Sequence, residues 1–440
     1  MTRRPSKQQS DGDGQRVVGD DSKTSASTHA PTAIISRRAA DRMRAGHPWV
    51  YASDVEEVLG DQPDGSVLPG GLVAVADARG MLLGTAMFSS ASQIALRMVS
   101  RDMIANRKQF LDLLRRRVER AVQIRLEGLR RTATTNACRL VFSEADELPS
   151  IVVDRYGDLV ILQLLAQGTD FDDVRAVIVK VVRAMIAPET IVERPDARIR
   201  ELEQLSAPPV APLYARDADA PKLATVFMLN GLRFHFDANA GQKTGAFLDQ
   251  RENYLATEAH AHGRALDICT YQGGFALHLS RRCAQVTGVD ASRAALEIAE
   301  SNLDQNRDLI IEQGRGVEWI EANAFDLLRD WSDAGEQFDT IVLDPPAFAK
   351  SKRAVEGALR GYKEMNLRAL KMLRAGGTLV TCSCSHHVPL AEFQATVAAA
   401  ASDAGQRVRL LEIRGAALDH PAILTIPETQ YLKCLICRVE

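Results

Sequence analysis

The sequence predicts an α/β protein whose C-terminal half is a doubly wound, mostly parallel sheet, preceded by two smaller domains. From about residue 240, strand-like apolar runs alternate with helical patterns, as they do in successive βαβ units. Within this half, residues 265–275 combine a strand, a loop with adjacent glycines and the start of a helix. The last apolar run, residues 432–439, follows the run at 407–413 without an intervening helix. We therefore expect a sheet of about seven strands whose last strand is antiparallel.

The strands and helices of this half follow from the spacing of apolar residues. Strands are predicted over residues 264–268, 285–290, 316–320, 338–343, 377–382, 407–413 and 432–439. Helices are predicted from residue 274, over 294–306, around 362–373 and near 390–404. In such a sheet, ligands bind beyond the carboxyl ends of the strands, so we expect functional residues there.

The N-terminal half begins with a polar segment and then changes to short apolar runs. Residues 1–32 lack an apolar period and are rich in polar residues, which predicts a disordered tail. Residues 33–101 contain short apolar runs separated by turn signals such as Pro63-Asp64-Gly65, a pattern typical of a small β-barrel.

A helical period then appears, and it marks a further domain. Residues 102–225 contain a long helical pattern, a predicted hairpin around 155–158 and an amphipathic helix at 171–186, which together indicate a small α+β domain. Asn230-Gly231 between apolar runs predicts the hairpin that begins the last domain, residues 226–440.

Composition and charge indicate a globular protein of a reducing compartment. The 440 residues include 54 Lys and Arg against 57 Asp and Glu, so the net charge of −3 does not by itself indicate a nucleic-acid binder. No apolar stretch is long enough to cross a bilayer, and the first thirty residues lack an apolar signal core. Seven cysteines, an odd number, favour reduced thiols and a cytoplasmic location.

Residues 107–131 form a helical pattern with one apolar face and one basic face. Nine Lys and Arg residues oppose three acidic residues in this segment. A charge run of this kind is usually a solvated helix face, but it also suits contacts with phosphate groups. If the second interpretation holds, Arg115, Arg116 and Arg117 are candidate RNA contacts.

The loop at 269–274 is a candidate cofactor site. Gly273 and Gly274 allow close approach of a ligand, but the spacing is not the Gly-x-Gly-x-x-Gly of dinucleotide-binding folds. Asp290 ends the next strand, where an acidic side chain can either bind ribose hydroxyls or cap the following helix. Because the glycine loop precedes it, we favour ribose binding.

These segments resemble a known family. The shared motifs in the C-terminal half are Thr244-Gly245-x-Phe247-Leu248-Asp249-Gln250-Arg251-Glu252, Gly273-Gly274-Phe275, Asp344-Pro345-Pro346-x-Phe348, Arg360-Gly361-Tyr362-Lys363, Ser383-Cys384-Ser385 and Asp419-His420-Pro421. His47-Pro48-Trp49-Val50 and Ala91-Ser92-Gln93-Ile94 extend the match toward the N-terminus. The chain resembles the ribosomal RNA large subunit methyltransferase I family, whose members make 5-methylcytidine, over nearly everything from about residue 34.

The resemblance implies a class I methyltransferase domain that uses S-adenosylmethionine and a PUA domain at residues 33–101. The cofactor would be held by Asp249, Gln250, Arg251, Asp267, Thr270, Tyr271, Gly273, Phe275, Asp290 and Asn323. Asn323 stands where the family usually has an Asp near the adenine amino group, so its amide oxygen would accept that hydrogen bond without charge. RNA, in the form of large-subunit ribosomal RNA or an assembly intermediate, would be the partner, and a homodimer is left open.

Methylation at carbon 5 of cytosine implies a covalent mechanism. A thiolate adds to carbon 6 so that carbon 5 becomes nucleophilic, and an acid near nitrogen 3 stabilises the adduct. Cys384 and Asp344 each lie at the carboxyl end of a predicted strand and are the candidate catalytic residues. Pro345 and Phe348 are the candidate contacts with the cytosine base. Cys382, inside an apolar run, is expected to serve packing.

Three other interpretations are weighed against this one. Cys434 and Cys437 have the spacing of a zinc or redox pair but lie in a terminal apolar strand without a second pair, so no metal site is predicted. The Asp-Pro-Pro motif also resembles that of methyltransferases acting on exocyclic amines, which need no cysteine. A non-catalytic RNA-binding assembly factor with a methyltransferase fold is the third alternative.

Overall fold

The computed structural model describes residues 30–129, 133–239 and 245–440. Most of the tail predicted at 1–32 therefore lies outside the described residues, as do Arg130, Arg131 and Thr244. The first described element begins at Thr32.

The N-terminal part is a six-stranded sheet with one short helix. Its elements are β1 (Thr32–Ile35), α1 (Arg37–Arg44), β2 (Trp49–Tyr51), β3 (Val55–Leu59), β4 (Leu72–Asp77), β5 (Leu82–Phe88) and β6 (Ile94–Ser100). The strand order is β2-β6-β5-β4-β1-β3, with β1 and β4 parallel and the other neighbours antiparallel. Strands β2, β4, β5 and β6 coincide within one residue with the short apolar runs of the sequence at 49–51, 71–76, 82–88 and 94–99, whereas β1, α1 and β3 were not predicted.

The middle part packs helices on a five-stranded sheet. Its elements are α2 (Arg107–Leu129), β7 (Ala137–Phe142), β8 (Ile151–Tyr156), β9 (Leu159–Leu164), α3 (Asp172–Ile186), β10 (Thr190–Glu193), α4 (Ala197–Glu203) and β11 (Tyr214–Ala215). The apolar face of α2 enters one core with α3 and the strands, with Phe110, Leu114, Val118 and Val122 buried. The periodicity of this helix thus predicted its buried face correctly.

The C-terminal part contains a hairpin and a seven-stranded sheet. Its elements are β12 (Ala224–Leu229), β13 (Leu232–Asp237), α5 (Arg251–His260), β14 (Arg264–Ile268), α6 (Gly274–Leu279), β15 (Gln285–Asp290), α7 (Arg293–Gln305), β16 (Val317–Glu321), α8 (Ala324–Asp333), β17 (Phe338–Leu343), α9 (Val355–Met372), β18 (Leu373–Ser383), α10 (Leu390–Asp403), β19 (Val408–Arg414) and β20 (Lys433–Val439). The hairpin turns at Asn230 and Gly231, whose φ angles of 55° and 83° are the left-handed values that Asn and Gly tolerate.

The order of the seven-stranded sheet is β16-β15-β14-β17-β18-β20-β19. The last strand, β20, inserts between β18 and β19 and is antiparallel to both, which confirms the predicted fold class. The carboxyl ends of β14, β15, β17 and β18 therefore lie along one edge. Two helices of this half, α5 and α8, were not predicted. Among the helices that the structure describes, none is both long and apolar enough to cross a membrane.

Candidate active site

A cavity of about 330 Å³ lies at the carboxyl edge of the seven-stranded sheet. Most of the predicted cofactor, substrate and catalytic residues line it: Asp249, Gln250, Thr270, Tyr271, Phe275, Asp290, Asn323, Asp344, Pro345, Phe348 and Cys384. Arg251, Asp267 and Gly273 are not among the lining residues. Arg251 and Gly273 are next to lining residues in the sequence, and Asp267 is hydrogen-bonded to Thr270, which lines the cavity. The topology thus brings together side chains from parts of the chain more than one hundred residues apart.

Part of the cavity wall was not predicted. Phe227 and Phe234 from the β12–β13 hairpin, Phe325 of α8 and Leu432 just before β20 line the same space. The alternation of apolar residues along β12 and β13 indicates a buried face, but no local signal shows which cavity that face closes. Only the tertiary structure identifies these residues as part of the site.

Neighbouring side chains leave no room for a Cβ at either glycine of the loop after β14. Gly273 has a φ of 84°, and a Cβ on it would lie 2.8 Å from the ring of Trp319. A Cβ on Gly274 would lie 2.5 Å from the hydroxyl of Tyr254. We had expected the glycines to make room for a ligand. The structure shows a further reason, which is side-chain crowding at both positions.

Asp267 is fully buried beneath this loop. Its Oδ2 accepts hydrogen bonds from Thr270 Oγ1 at 2.5 Å and from the backbone N–H of Ala276 at 2.9 Å. Its Oδ1 is buried and has no hydrogen-bond partner among the described residues. Burial raises the pKa of this carboxyl to about 7. The carboxyl therefore fixes the loop with one oxygen and keeps the other unsatisfied.

Asp290 lies at the end of β15 and faces the cavity. Its carboxylate accepts hydrogen bonds from the backbone N–H groups of Tyr271 and Ser292, both at 2.9 Å. The side-chain cap of α7 is Ser292 rather than Asp290. Asp290 thus connects two loops of the site, and its position in the cavity wall agrees with a ligand-binding role.

Asn323 also lines the cavity, and its oxygen has a structural use. The Asn323 side chain caps α8, since its Oδ1 accepts hydrogen bonds from the backbone N–H groups of Phe325 at 2.9 Å and Asp326 at 3.3 Å. A hydrogen bond from adenine to this oxygen would therefore compete with the helix cap. The predicted contact with adenine stays a prediction.

Asp249, Gln250 and Arg251 join the cavity to the end of the chain. Asp249 accepts a 2.5 Å hydrogen bond from the hydroxyl of Tyr431. The Arg251 guanidinium is buried and forms a 2.9 Å ion pair with Asp419. Arg251 thus contacts the segment between β19 and β20, and in this structure it supports the cavity wall rather than lining it.

The two candidate catalytic residues face the same cavity from adjacent strands. Asp344 follows β17, and its Oδ1 accepts a 3.0 Å hydrogen bond from Gln250 Nε2. Cys384 follows β18, and its Sγ lies 3.9 Å from the carbonyl oxygen of Pro345. A thiol and a carboxyl group are therefore positioned by two neighbouring strand ends, as the sequence predicted.

Cys382 has different surroundings. It is fully buried and lies directly opposite Cys434 in the pairing of β18 with β20. Its hydrogen bond with Cys434 and its burial raise the pKa of the Cys382 thiol well above the usual value. A thiol in this state is inert, which agrees with the packing role expected for Cys382.

Phe348 lies among aromatic rings at the cavity rim. Its ring centroid is 4.7 Å from that of Tyr362 and 5.8 Å from that of Phe325. Pro345 is buried, whereas Pro346 is exposed. An aromatic cluster next to Asp344 and Cys384 offers a flat surface on which a base can stack.

The basic helix α2 is less uniform than its sequence indicated. Arg117 donates hydrogen bonds to the carbonyl oxygens of Val99 and Glu147, and its side chain is only 15% exposed. Arg115 pairs with Glu119 on the same helix at 2.9 Å. Arg116 is exposed and forms no ion pair with any residue the structure describes. The three candidate RNA contacts thus have three different surroundings.

Comparisons with known proteins agree with this arrangement. Residues 33–101 match the PUA-like domain family, and residues 218–413 match the family of S-adenosylmethionine-dependent methyltransferases. A relative from Cronobacter sakazakii, named Ribosomal RNA large subunit methyltransferase I, is 35% identical over 398 residues, which cover 89% of this chain and 95% of the relative. The chain belongs to the ribosomal RNA large subunit methyltransferase I family.

Further members show the same extent of similarity. The Escherichia coli relative of the same name is 35% identical over 400 residues, covering 89% of this chain and 95% of the relative. The one from Klebsiella pneumoniae is 34% identical over 415 residues, covering 93% and 98%. Membership confirms the family that the motifs indicated, and with it the dependence on S-adenosylmethionine.

Solved structures confirm the fold over nearly the whole chain. A methyltransferase crystal structure in complex with SAH has a TM-score of 0.76 at 18% identity and covers 93% of this chain and 100% of its own. A second, described as a SAM-dependent methyltransferase from Streptococcus mutans, has a TM-score of 0.74 at 17% identity, with coverage of 93% and 100%. At this identity the likeness concerns the fold alone.

Proposed function

We propose that this chain methylates carbon 5 of a cytidine in large-subunit ribosomal RNA through a covalent bond between Cys384 and the base. Two relatives that align with this chain over 95% of their own length are named as ribosomal RNA large subunit methyltransferases. The PUA-like domain at residues 33–101 is a module suited to RNA. The observation that carries the proposal is that a thiol, Cys384, and a carboxyl, Asp344, line a cavity that is also lined by most of the candidate cofactor residues.

The residues around the cavity fit S-adenosylmethionine. The unsatisfied buried oxygen of Asp267 suits the ammonium group at the methionine end, and Asp290 suits the ribose hydroxyls. Thr270, Tyr271 and Phe275 would border the cofactor from the loop after β14. When bound, the cofactor supplies an electrophilic methyl group and leaves as S-adenosylhomocysteine.

Cys384 would act as the nucleophile. Its thiolate forms a bond to carbon 6, and the electron pair of the 5,6 double bond moves toward carbon 5 and nitrogen 3, which makes carbon 5 nucleophilic. After carbon 5 has received the methyl group, a base removes the proton from carbon 5. That electron pair re-forms the double bond, and the bond between carbon 6 and sulfur breaks to return the thiolate.

Asp344 would hold the proton at nitrogen 3. As a neutral acid it donates this proton when Cys384 adds to the ring, and it recovers the proton when the thiolate leaves. The hydrogen bond from Gln250 fixes the orientation of the carboxyl group. Pro345 and Phe348 would contact the same base, the first at its edge and the second by stacking.

The proposal is tested by trapping the adduct. RNA carrying 5-fluorocytidine at the target position should become covalently linked to the enzyme in the presence of S-adenosylmethionine, because fluorine prevents the final proton removal. Cys384→Ala should abolish both methylation and trapping. Cys382→Ala is the matched control, because Cys382 lies two residues earlier, within β18, and this variant should remain folded and largely active.

The opposite result would support methylation of an exocyclic amine. An active Cys384→Ala enzyme, with no trapping in the wild type, would exclude the covalent mechanism. The Asp-Pro-Pro segment would then be better explained as a grip on an exocyclic amine. Mass spectrometry of nucleosides from ribosomal RNA distinguishes the two products, since the methyl group is on carbon in one and on nitrogen in the other.

A further inference from the structure

A buried lysine lies next to the candidate nucleophile. Lys433 is the first residue of β20, and it pairs in register with Ser383, the residue immediately before Cys384. Only 5% of Lys433 is exposed. No sequence pattern distinguishes Lys433, because it stands at the start of an apolar run whose partner strand is known only from the topology.

The Lys433 ammonium group contacts the loop that carries Cys384. Its Nζ donates hydrogen bonds to the carbonyl oxygens of Ser385 at 2.7 Å and Tyr431 at 2.8 Å. Within residues 30–129, 133–239 and 245–440, no carboxylate lies within ion-pair distance of Nζ. Burial lowers the pKa of Lys433 to about 8, and the nearby Cys384 opposes this effect. Lys433 therefore remains mostly protonated at neutral pH.

A buried cation without an anionic partner is costly, and a neutral donor would suffice to bridge two carbonyl groups. The charge has a use if an anion forms beside it during turnover. On the proposed function, Cys384 must be a thiolate both before it adds to the base and after it leaves. We propose that Lys433 is a positioning residue that fixes the Cys384 loop through Ser385 and stabilises the thiolate of Cys384 by its charge.

Other titratable groups surround this pair, and none of them replaces the lysine. They are Arg139 of β7, Tyr362 of α9, Asp344 after β17, Asp249 just before α5, His386 and His387 after Cys384, and Glu428 and Tyr431 before β20. The carboxylates favour the neutral thiol, whereas a lysine favours the thiolate. Among the described groups, Lys433, Arg139 and the two histidines can carry positive charge near Cys384. Arg139 is paired with Asp154 at 2.8 Å, whereas Lys433 is buried and hydrogen-bonded to the Cys384 loop.

The test measures the reactivity of Cys384 without any RNA. Alkylation by iodoacetamide is followed at the Cys384 peptide by mass spectrometry between pH 6 and 9, for the wild type and Lys433→Met. Loss of a nearby positive charge should raise the pKa of the Cys384 thiol by at least about one unit. The variant should therefore react about tenfold more slowly at pH 7. Arg438→Met is the matched control, because Arg438 is exposed on the same strand and its loss should leave the profile unchanged.

A reciprocal measurement covers the case in which Lys433→Met does not fold. Carbon-13 NMR of labelled lysines gives the titration of Lys433 in the wild type and in Cys384→Ser. If the charges are coupled, the serine variant should lose a proton from Lys433 at lower pH, because coupling is reciprocal. An unchanged Lys433 titration, or an unchanged alkylation profile in folded Lys433→Met, would overturn the proposal and leave Lys433 as a structural tether.

These results are separable from the covalent mechanism itself. Trapping by 5-fluorocytidine RNA without any effect of Lys433→Met on alkylation would retain the nucleophile and refute the role of the lysine. If alkylation depends on Lys433 but the enzyme is not trapped, the coupling between Lys433 and Cys384 would stand and the role of Cys384 as nucleophile would be refuted. A shift in alkylation together with trapping supports both.

Discussion

Replacing Asp267 with Asn should have opposite effects on stability and on cofactor binding. The folded-state pKa of Asp267 is raised from 3.8 to about 7 by burial. For a group raised in this way, the favourable contribution is complete below the unfolded pKa and is lost as the pH rises through the folded value. The shift corresponds to about 4 kcal/mol against the ionised carboxylate above pH 7. We therefore expect Asp267→Asn to unfold at a higher temperature than the wild type at pH 8.

Cofactor binding should respond in the other direction. If Oδ1 of Asp267 meets the ammonium group of S-adenosylmethionine, binding requires the ionised carboxylate. At pH 6, about one unit below the pKa, roughly a tenth of the carboxyl groups are ionised, so the affinity should be about tenfold lower than at full ionisation. The measurement is best kept between pH 5.5 and 7, because an α-amino group itself titrates near pH 8.

Calorimetry and thermal unfolding decide between the outcomes. In the wild type the dissociation constant should fall as the pH rises from 5.5 to 7, whereas in Asp267→Asn it should be high and independent of pH. A variant that is destabilised at pH 8 would contradict the burial argument. A wild type whose affinity does not change with pH would show that the cofactor does not use this oxygen.

Three further predictions concern other contacts. Asp290→Ala should weaken S-adenosylmethionine binding by about tenfold or more, because hydrogen bonds to a charged group contribute about 1.5–3 kcal/mol; unchanged calorimetric affinity would place the ribose elsewhere. Replacing Arg116 and Arg120, which is also exposed on α2, with Gln should reduce RNA affinity and flatten its salt dependence in filter binding without changing stability, and a constant salt slope would indicate a solvated helix face. Asp419→Ala should lower the free energy of unfolding by about 3 kcal/mol, measured in urea, because the buried Arg251 loses one of its two carboxylate partners and keeps only Glu252; a loss below 1 kcal/mol would refute this.

The sequence predicted the layers of the fold well because periodicity reports burial. Strands β14, β15 and β17 were predicted residue for residue, since each is largely buried between helices and has a mainly apolar interior. Helix α5 escaped prediction because its buried face includes the polar side chains of Asn253 and Thr257. These polar groups contact the end of the chain and the core, so the apolar period that marks an ordinary helix is broken.

Helix α8 could have been predicted from its cap. Asn323 is followed three residues later by Asp326, and an Asn before such an acid is a typical helix start. We interpreted Asn323 only as a counterpart of an adenine-binding residue. A residue that both caps a helix and lines a ligand cavity gives two signals, and the structural one is the stronger.

The lining of the cavity was predicted where strand ends form it and missed where irregular segments complete it. Asp290, Asp344 and Cys384 follow strands of one sheet, so their convergence follows from topology. The stretch between β19 and β20 showed no comparable pattern, although its residues contact side chains and loops of the cavity wall. Tyr431 bonds Asp249, and Lys433 bonds the loop of Cys384.

The antiparallel insertion of β20 gives this stretch its importance. Because β20 lies beside β18, the residues just before it must pass over the carboxyl edge of the sheet, next to Cys384. A parallel last strand would have entered from the opposite edge and brought its preceding loop to the far end of the sheet. The reversed strand thus places a buried lysine and a tyrosine at the active edge, and it makes the end of the chain part of the candidate catalytic machinery rather than a simple closure of the fold.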